Sequence, residues 1–345
     1  MNNATSRNTS IVKNTVVMLK YRKKSCFISE TEVIKIILGR YQNMQTQLHI
    51  HNNRKKRFGD RKDGFRLRNL GVMANASIKF MKRRCDSQVL SCFELDITDT
   101  VSFIRKNHHE MKKLSLQMVL YAALVRTYAR YPRMNRFIVG SRCYGRDYVR
   151  INIIAKPKLD ADSEEYLVPV YFDRSETLPQ VIEKYSAAFE KIKYENQKQK
   201  EMEASRPSIL KILLNNLVAM ATKLGGVLVT LDRINLAPKA FLEISPFHGS
   251  AFVTNMGSLG IPAVYHHLYE IGTVSHFLAL GQKETRYVHD DNHNPQKRIF
   301  VTVKITVDER ICDGYYLSRA LKCFEKHIKD PTKLMVPPEK VEFDA

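Results

Sequence analysis

Thr306-Val307-Asp308-Glu309-Arg310-Ile311-Cys312-Asp313-Gly314 joins two different periodicities, and its reading decides the fold. Before it, Ile299 to Val307 is β-branched and alternating, the pattern of a strand with one buried face. After it, Tyr316, Leu317, Ala320, Leu321, Phe324 and Ile328 recur at helical spacing and form one apolar face. The Asp313-Gly314 pair separates the two, with glycine allowing a tight strand-to-helix turn. A strand therefore feeds an amphipathic helix at once.

Working outward, Leu90–Ile97 reads as a strand and Thr98–Lys106 as a helix. Ser115–Tyr131 reads as a longer helix with Met118, Val119, Ala122, Val125 and Ala129 as its stripe, ended by Pro132. Strands at Phe137–Val139, Val149–Ala155 and Leu167–Phe172 follow. The next helix opens at Thr177 with Gln180 three residues on, the signature of a capping box. Core strands return at Ala251–Thr254, Phe277–Gly281 and Ile299–Val307, and no fixed repeat is visible. Strands and helices mixed without strict alternation imply an α+β domain, a mixed β-sheet with flanking helices.

The net charge of +21 is uneven: residues 1–70 hold 16 Lys/Arg against 4 Asp/Glu. Residues 1–57 are polar and basic, with too little apolar surface to offset the entropy of ordering, and read as a disordered extension. Their basic run could touch an anionic surface, although a solvated tail is the simpler reading. Residues 58–77 read as a charged lead-in and 78–345 as the domain, with a helical insertion at about 197–245. Ile209, Leu213, Leu214, Leu217 and Met220–Ala221 form that insertion's apolar stripe. It is too interrupted to span a membrane, since Asn215 and Asn216 break the run and Gly225-Gly226 ends it. Six cysteines without regular spacing or a signal peptide read as reduced thiols of a cytoplasmic protein, and no His or Cys pattern supports a metal site.

The order and spacing of these pieces resemble the catalytic domain of the 2-oxoacid dehydrogenase acyltransferases, a chloramphenicol acetyltransferase-like family. Asp308-Glu309-Arg310-Ile311-Cys312-Asp313-Gly314 resembles its closing Asp-His-Arg-x-x-Asp-Gly. Phe252-Val253-Thr254-Asn255-Met256-Gly257-Ser258-Leu259-Gly260 resembles its Phe-Thr-Ile-Ser-Asn-Leu-Gly-x-x-Gly segment. Pro132-x-x-Asn135, Leu167-Val168-Pro169-Val170 and Phe277-Leu278-Ala279-Leu280-Gly281 fall where that family has similar turns and strands, so the resemblance runs from about residue 78 to 331. No lipoyl or subunit-binding domain is recognisable, so a stand-alone core without a covalently bound lipoyl group is expected.

The resemblance implies acyl transfer between coenzyme A and another thiol, in a homotrimer or a higher assembly of trimers with its sites between subunits. Coenzyme A or acyl-coenzyme A would be a substrate, with no metal; the residues that bind it, the acyl donor and the acceptor are left open. It also implies roles for three residues. Thr254 would donate its hydroxyl to the tetrahedral oxyanion, Asp313 would hold the base loop through a charge pair with Arg83 or Arg84, and Glu309 stands where the family has its histidine base. A glutamate is the weaker base toward a thiol. Two readings follow: an acyltransferase that uses Glu309, or a base recruited from His266, His267 or His276, and a catalytically inactive trimeric scaffold or binding protein on the same fold.

Overall fold

The computed structural model describes residues 55–146, 148–155, 165–204 and 225–344. The basic extension up to residue 54 and the apolar stripe of 209–221 lie outside the described residues.

In chain order the elements are β1 (Phe65–Arg66), α1 (Val72–Phe80), β2 (Gln88–Asp96), α2 (Thr98–Asn107), α3 (Leu116–Arg130), β3 (Arg136–Val139), β4 (Arg142–Gly145), β5 (Val149–Ala155) and β6 (Tyr166–Phe172). They continue with α4 (Leu178–Ala204), a helical stretch at 225–233, α5 (Lys239–Ile244), β7 (Ala251–Asn255), β8 (His276–His289), β9 (Pro295–Asp308) and α6 (Gly314–Lys329). Six strands make one mixed sheet in the order β2-β9-β8-β7-β5-β6, parallel only where β7 meets β5 and β8. A smaller sheet has the order β1-β4-β3. The expected α+β architecture, a mixed sheet with flanking helices, is the one observed.

Strand alternation decides which sheet face the helices cover. Val301, Val303, Ile305 and Val307 of β9 join Ile151, Ile153, Val253, Leu278 and Leu280 in the main core. Against that face lies α3, buried at nearly every position from Leu116 to Ala129, well beyond the single stripe read from its sequence. A helix buried on nearly every side lies inside a layer, and its one buried cation, Arg126, donates to Lys333 O at 3.1 Å. Ser115 caps α3 by accepting from Met118 N, and α6 packs beside it through Ala320, Phe324 and Ile328. At α4 the Gln180 side chain accepts from Thr177 N at 2.8 Å, as the capping pattern requires.

The other face of the sheet carries Phe252 and Phe277, stacked at 5.3 Å, under a loop that includes Leu268 and Val274. That loop closes at Gly272, whose φ is +83°. A side chain there would meet Phe247 O at 2.0 Å, so only glycine fits.

The lead-in 58–77 is part of the packed unit, not a preface to a domain beginning at residue 78. Phe65 and Leu67 are buried with Ile78, Ile138 and Cys143. Arg61 is 1% exposed although it sits in the basic run. Its guanidinium bonds Asp63 (2.8 Å) and the carboxylate and carbonyl of Asp232 (2.6 and 2.9 Å). Lys62 donates to Ala237 O, and Asn235 donates back to Asp60 O. These residues tie the start of the described chain to the segment just after residue 225.

Candidate active site

β9 ends at Asp308, a 3₁₀ turn spans Glu309–Ile311, and α6 starts at Gly314. The turn is shaped by the motif's own ion pair. Asp308 is fully buried and receives Arg310 through its backbone N (3.2 Å), Nε (2.8 Å) and Nη2 (2.7 Å). Arg310 Nη1 donates to Met81 O, anchoring the turn to the end of α1. With Asp308 and Arg310 turned inward, Glu309 between them is exposed and has no ion-pair partner among the described residues. Glu309 is thus neither buried nor charge-paired among the described residues of the single chain.

Asp313 does not pair with Arg83 or Arg84. It is exposed, caps α6 by accepting from Tyr316 N at 2.9 Å, and has Arg133 Nη1 at 3.9 Å. The carboxylate that Arg84 approaches is Asp308, at 3.7 Å. Asp308 thus does the buried bracing that the sequence reading gave to Asp313. Cys312 packs by Met134, and burial pushes its thiol up to about 12, with Asp313 adding to the rise. It stays protonated at neutral pH and is no nucleophile.

Thr254 is buried on β7, and its hydroxyl contacts Met256 Sδ at 3.7 Å. Across the sheet it pairs with Ala279, which pairs with Lys304, five residues short of Glu309. Two strand spacings and five residues along a strand put Thr254 and Glu309 roughly 20 Å apart. One chain therefore does not bring the two together.

The three histidines considered as alternative bases differ. His276 is buried on β8 with Nδ1 3.3 Å from Ser250 O and its ring edge-on to Tyr128. Burial pushes it down to about 4, against the opposing pull of Ser250 and Asp308. His266 stacks on Phe277 at 4.3 Å and is also lowered, by burial and then by His267. His267 is exposed, edge-on to Tyr269. None contacts Glu309.

His276 makes stability depend on pH. Its folded value lies below the ordinary 6.5, so its neutral form is the one the fold stabilises. The contribution is complete above about 6.5 and is lost as pH falls toward 4, reaching about 3 kcal/mol. Urea unfolding between pH 7 and 4 should show this fall, and His276→Gln should lose less stability than the parent over the same range. Parallel pH curves for the two proteins would remove the assignment.

Sequence reading missed a buried ionic network behind the turn. Arg61, Asp63, Arg146, Asp232 and His248 are all 5% exposed or less. Arg146 lies 3.6 Å from Asp63, and His248 Nε2 lies 3.3 Å from Asp232. Against the cost of burial, Arg61 and then Arg146 hold Asp63 down at about 2. Among the described residues no group of three His, Cys, Asp or Glu could hold a metal ion, and no helix is long and apolar enough to cross a membrane.

Residues 231–336 match the family described as 2-oxoacid dehydrogenases acyltransferase (catalytic domain). The resemblance read from the closing motif is a family match over that segment. It contains Thr254, Glu309, Arg310 and Asp313. No curated protein matches the chain in sequence. Among solved structures, the cubic core of the pyruvate dehydrogenase multienzyme complex is similar at 13% identity and a TM-score of 0.49, over 78% of this chain and 94% of that one. A probable dihydrolipoamide acetyltransferase from Listeria monocytogenes is similar at 14% identity and 0.46, over 76% and 93%. A chloramphenicol acetyltransferase is similar at 10% identity and 0.40, over 75% and 95%.

Proposed function

We propose that the chain is an acyltransferase related to the acyltransferase component of 2-oxoacid dehydrogenase complexes, with coenzyme A as the carrier of the acyl group. The observation that supports this most is the closing motif's geometry: the buried Asp308–Arg310 pair turns inward and presents Glu309 to solvent between strand and helix. In the proposed reaction Glu309 accepts the proton of the attacking nucleophile. The nucleophile adds to the thioester carbonyl, and the Thr254 hydroxyl donates to the resulting oxyanion. Collapse of that intermediate expels coenzyme A as its thiolate, which takes up a proton. Thr254 and Glu309 lie apart within one chain, so the proposed site is completed between neighbouring subunits, in a homotrimer or a higher assembly of trimers. The proposed setting is the cytoplasm.

A catalytically inactive trimeric scaffold is the second reading, favoured by the absence of any base partner around the exposed Glu309 among the described residues. An acyl-transfer assay separates the two, using a panel of acyl-coenzyme A donors with thiol, amine and hydroxyl acceptors. Turnover is expected with at least one pair, and Thr254→Val should lower kcat by about 100-fold while leaving the sedimentation coefficient unchanged. A trimer without turnover on any pair supports the scaffold. Full activity in Thr254→Val would remove Thr254 from the site.

A further inference from the structure

Lys82, Arg83, Arg84, Arg233 and Arg310 converge on one cavity of about 310 Å³. Arg84 and Arg310 form its buried wall, whereas Lys82, Arg83 and Arg233 are exposed at its mouth and have no ion-pair partner among the described residues. Among the described residues only two acidic side chains, Asp232 and Glu270, line it. Asp232 is already engaged by Arg61 at 2.6 Å and His248 at 3.3 Å, and Glu270 accepts from Cys85 N at 2.8 Å.

The buried wall is short of negative charge as well. Arg84 donates to three neutral carbonyls, Tyr269 O (2.6 Å), Gly272 O (3.1 Å) and Ile138 O (3.2 Å). Its Nε is buried with no hydrogen-bond partner, 3.7 Å from an Asp308 carboxylate that Arg310 already occupies. Burial lowers the proton affinity of Arg84, against the attraction of Asp308. Positive charge gathered on low-dielectric walls concentrates anions, and the volume suits a small metabolite.

We infer that this cavity binds a compact multivalent anion, of the phosphate-ester or polycarboxylate kind, at a site separate from the one that uses Glu309 and Thr254. Binding is read directly, so the result does not depend on whether acyl transfer occurs.

The test is calorimetric titration of the full chain with inorganic pyrophosphate and with trisodium citrate at constant ionic strength. One-to-one binding of at least one probe is expected. The triple variant Lys82→Ala/Arg83→Ala/Arg233→Ala should weaken it by about tenfold or more, since all three are surface charges whose loss leaves the core intact. A control with the same charge change elsewhere, Lys283→Ala/Lys297→Ala/Lys322→Ala, should change it by less than about threefold. Whichever probe binds tells phosphate from carboxylate chemistry. Absence of saturable binding by both probes, or equal weakening in the two triples, would overturn the inference. Coenzyme A is the remaining source of the same chemistry. If it displaces the bound probe and itself loses affinity in the mouth variant, the cavity belongs to the acyl-transfer site and the separate site is refuted.

Discussion

Arg61→Met is expected to destabilise the protein by about 3–5 kcal/mol, a loss large enough to leave much of the chain unfolded at 37 °C. The replacement keeps most of the side-chain volume and removes the charge that Asp63 and Asp232 share. Both carboxylates are almost fully buried, so the penalty comes from leaving them uncompensated more than from losing the attraction itself. Arg146 at 3.6 Å from Asp63 and His248 at 3.3 Å from Asp232 remain as partial partners. The double variant Arg61→Met/Asp232→Asn should therefore recover part of the loss, because one orphaned charge goes with its partner. Urea unfolding of the parent, both single variants and the double variant measures the coupling. A cost below about 1 kcal/mol for Arg61→Met would mean that the lead-in is not anchored as described.

The sequence is most legible where burial is one-sided. In β9, Val301, Val303, Ile305 and Val307 alternate with Thr302, Lys304 and Thr306, and the strand is readable because one face enters the core. The same strand starts at Pro295 and its partner runs on to His289, but these outer halves are exposed and carry no such signal. Their pairing rests on backbone bonds, and Arg286 of β8 reaches across β9 to Glu94 of β2, neither of which composition reveals. Arg61 was illegible for the opposite reason. A cation in a run of cations resembles a solvated tail, and its partner Asp232 is 171 residues away.

The candidate site divides in the same way. Thr254 looks like an ordinary strand threonine, and only the motif around it marks it. Asp308 and Arg310 offered a local clue, since opposite charges two residues apart at a strand end share a face and can close a bidentate pair. That clue assigns the buried bracing to Asp308 and leaves Asp313 as a helix cap. The arginines around the cavity come from three distant stretches, near residues 83, 233 and 310, so no sequence window contains them.

Replacing Glu309 should give opposite results for two substitutions if acyl transfer is real. Glu309→Gln keeps size and hydrogen bonding but cannot accept a proton, so kcat should fall by about 10²–10⁴-fold. Glu309→His restores the residue that the family motif carries at this position and should keep or raise activity. The argument is one of proton affinity. A thiol near ~8.5 loses its proton uphill by about 2 units to an ordinary histidine near ~6.5, and by about 4 to an ordinary glutamate near ~4.3. The difference of about 3 kcal/mol corresponds to roughly 100-fold in rate. A further consequence concerns the acceptor. If the acceptor is a thiol, the advantage of His over Glu should be large; for an acceptor that is already a free base, such as an unprotonated amine, it should shrink. Rates for the three proteins with a thiol and an amine acceptor, over pH 6–9, measure both effects. Equal activity in all three with every acceptor would move the base away from Glu309, and loss of activity in Glu309→His with an unchanged sedimentation coefficient would show that the site is built around a carboxylate.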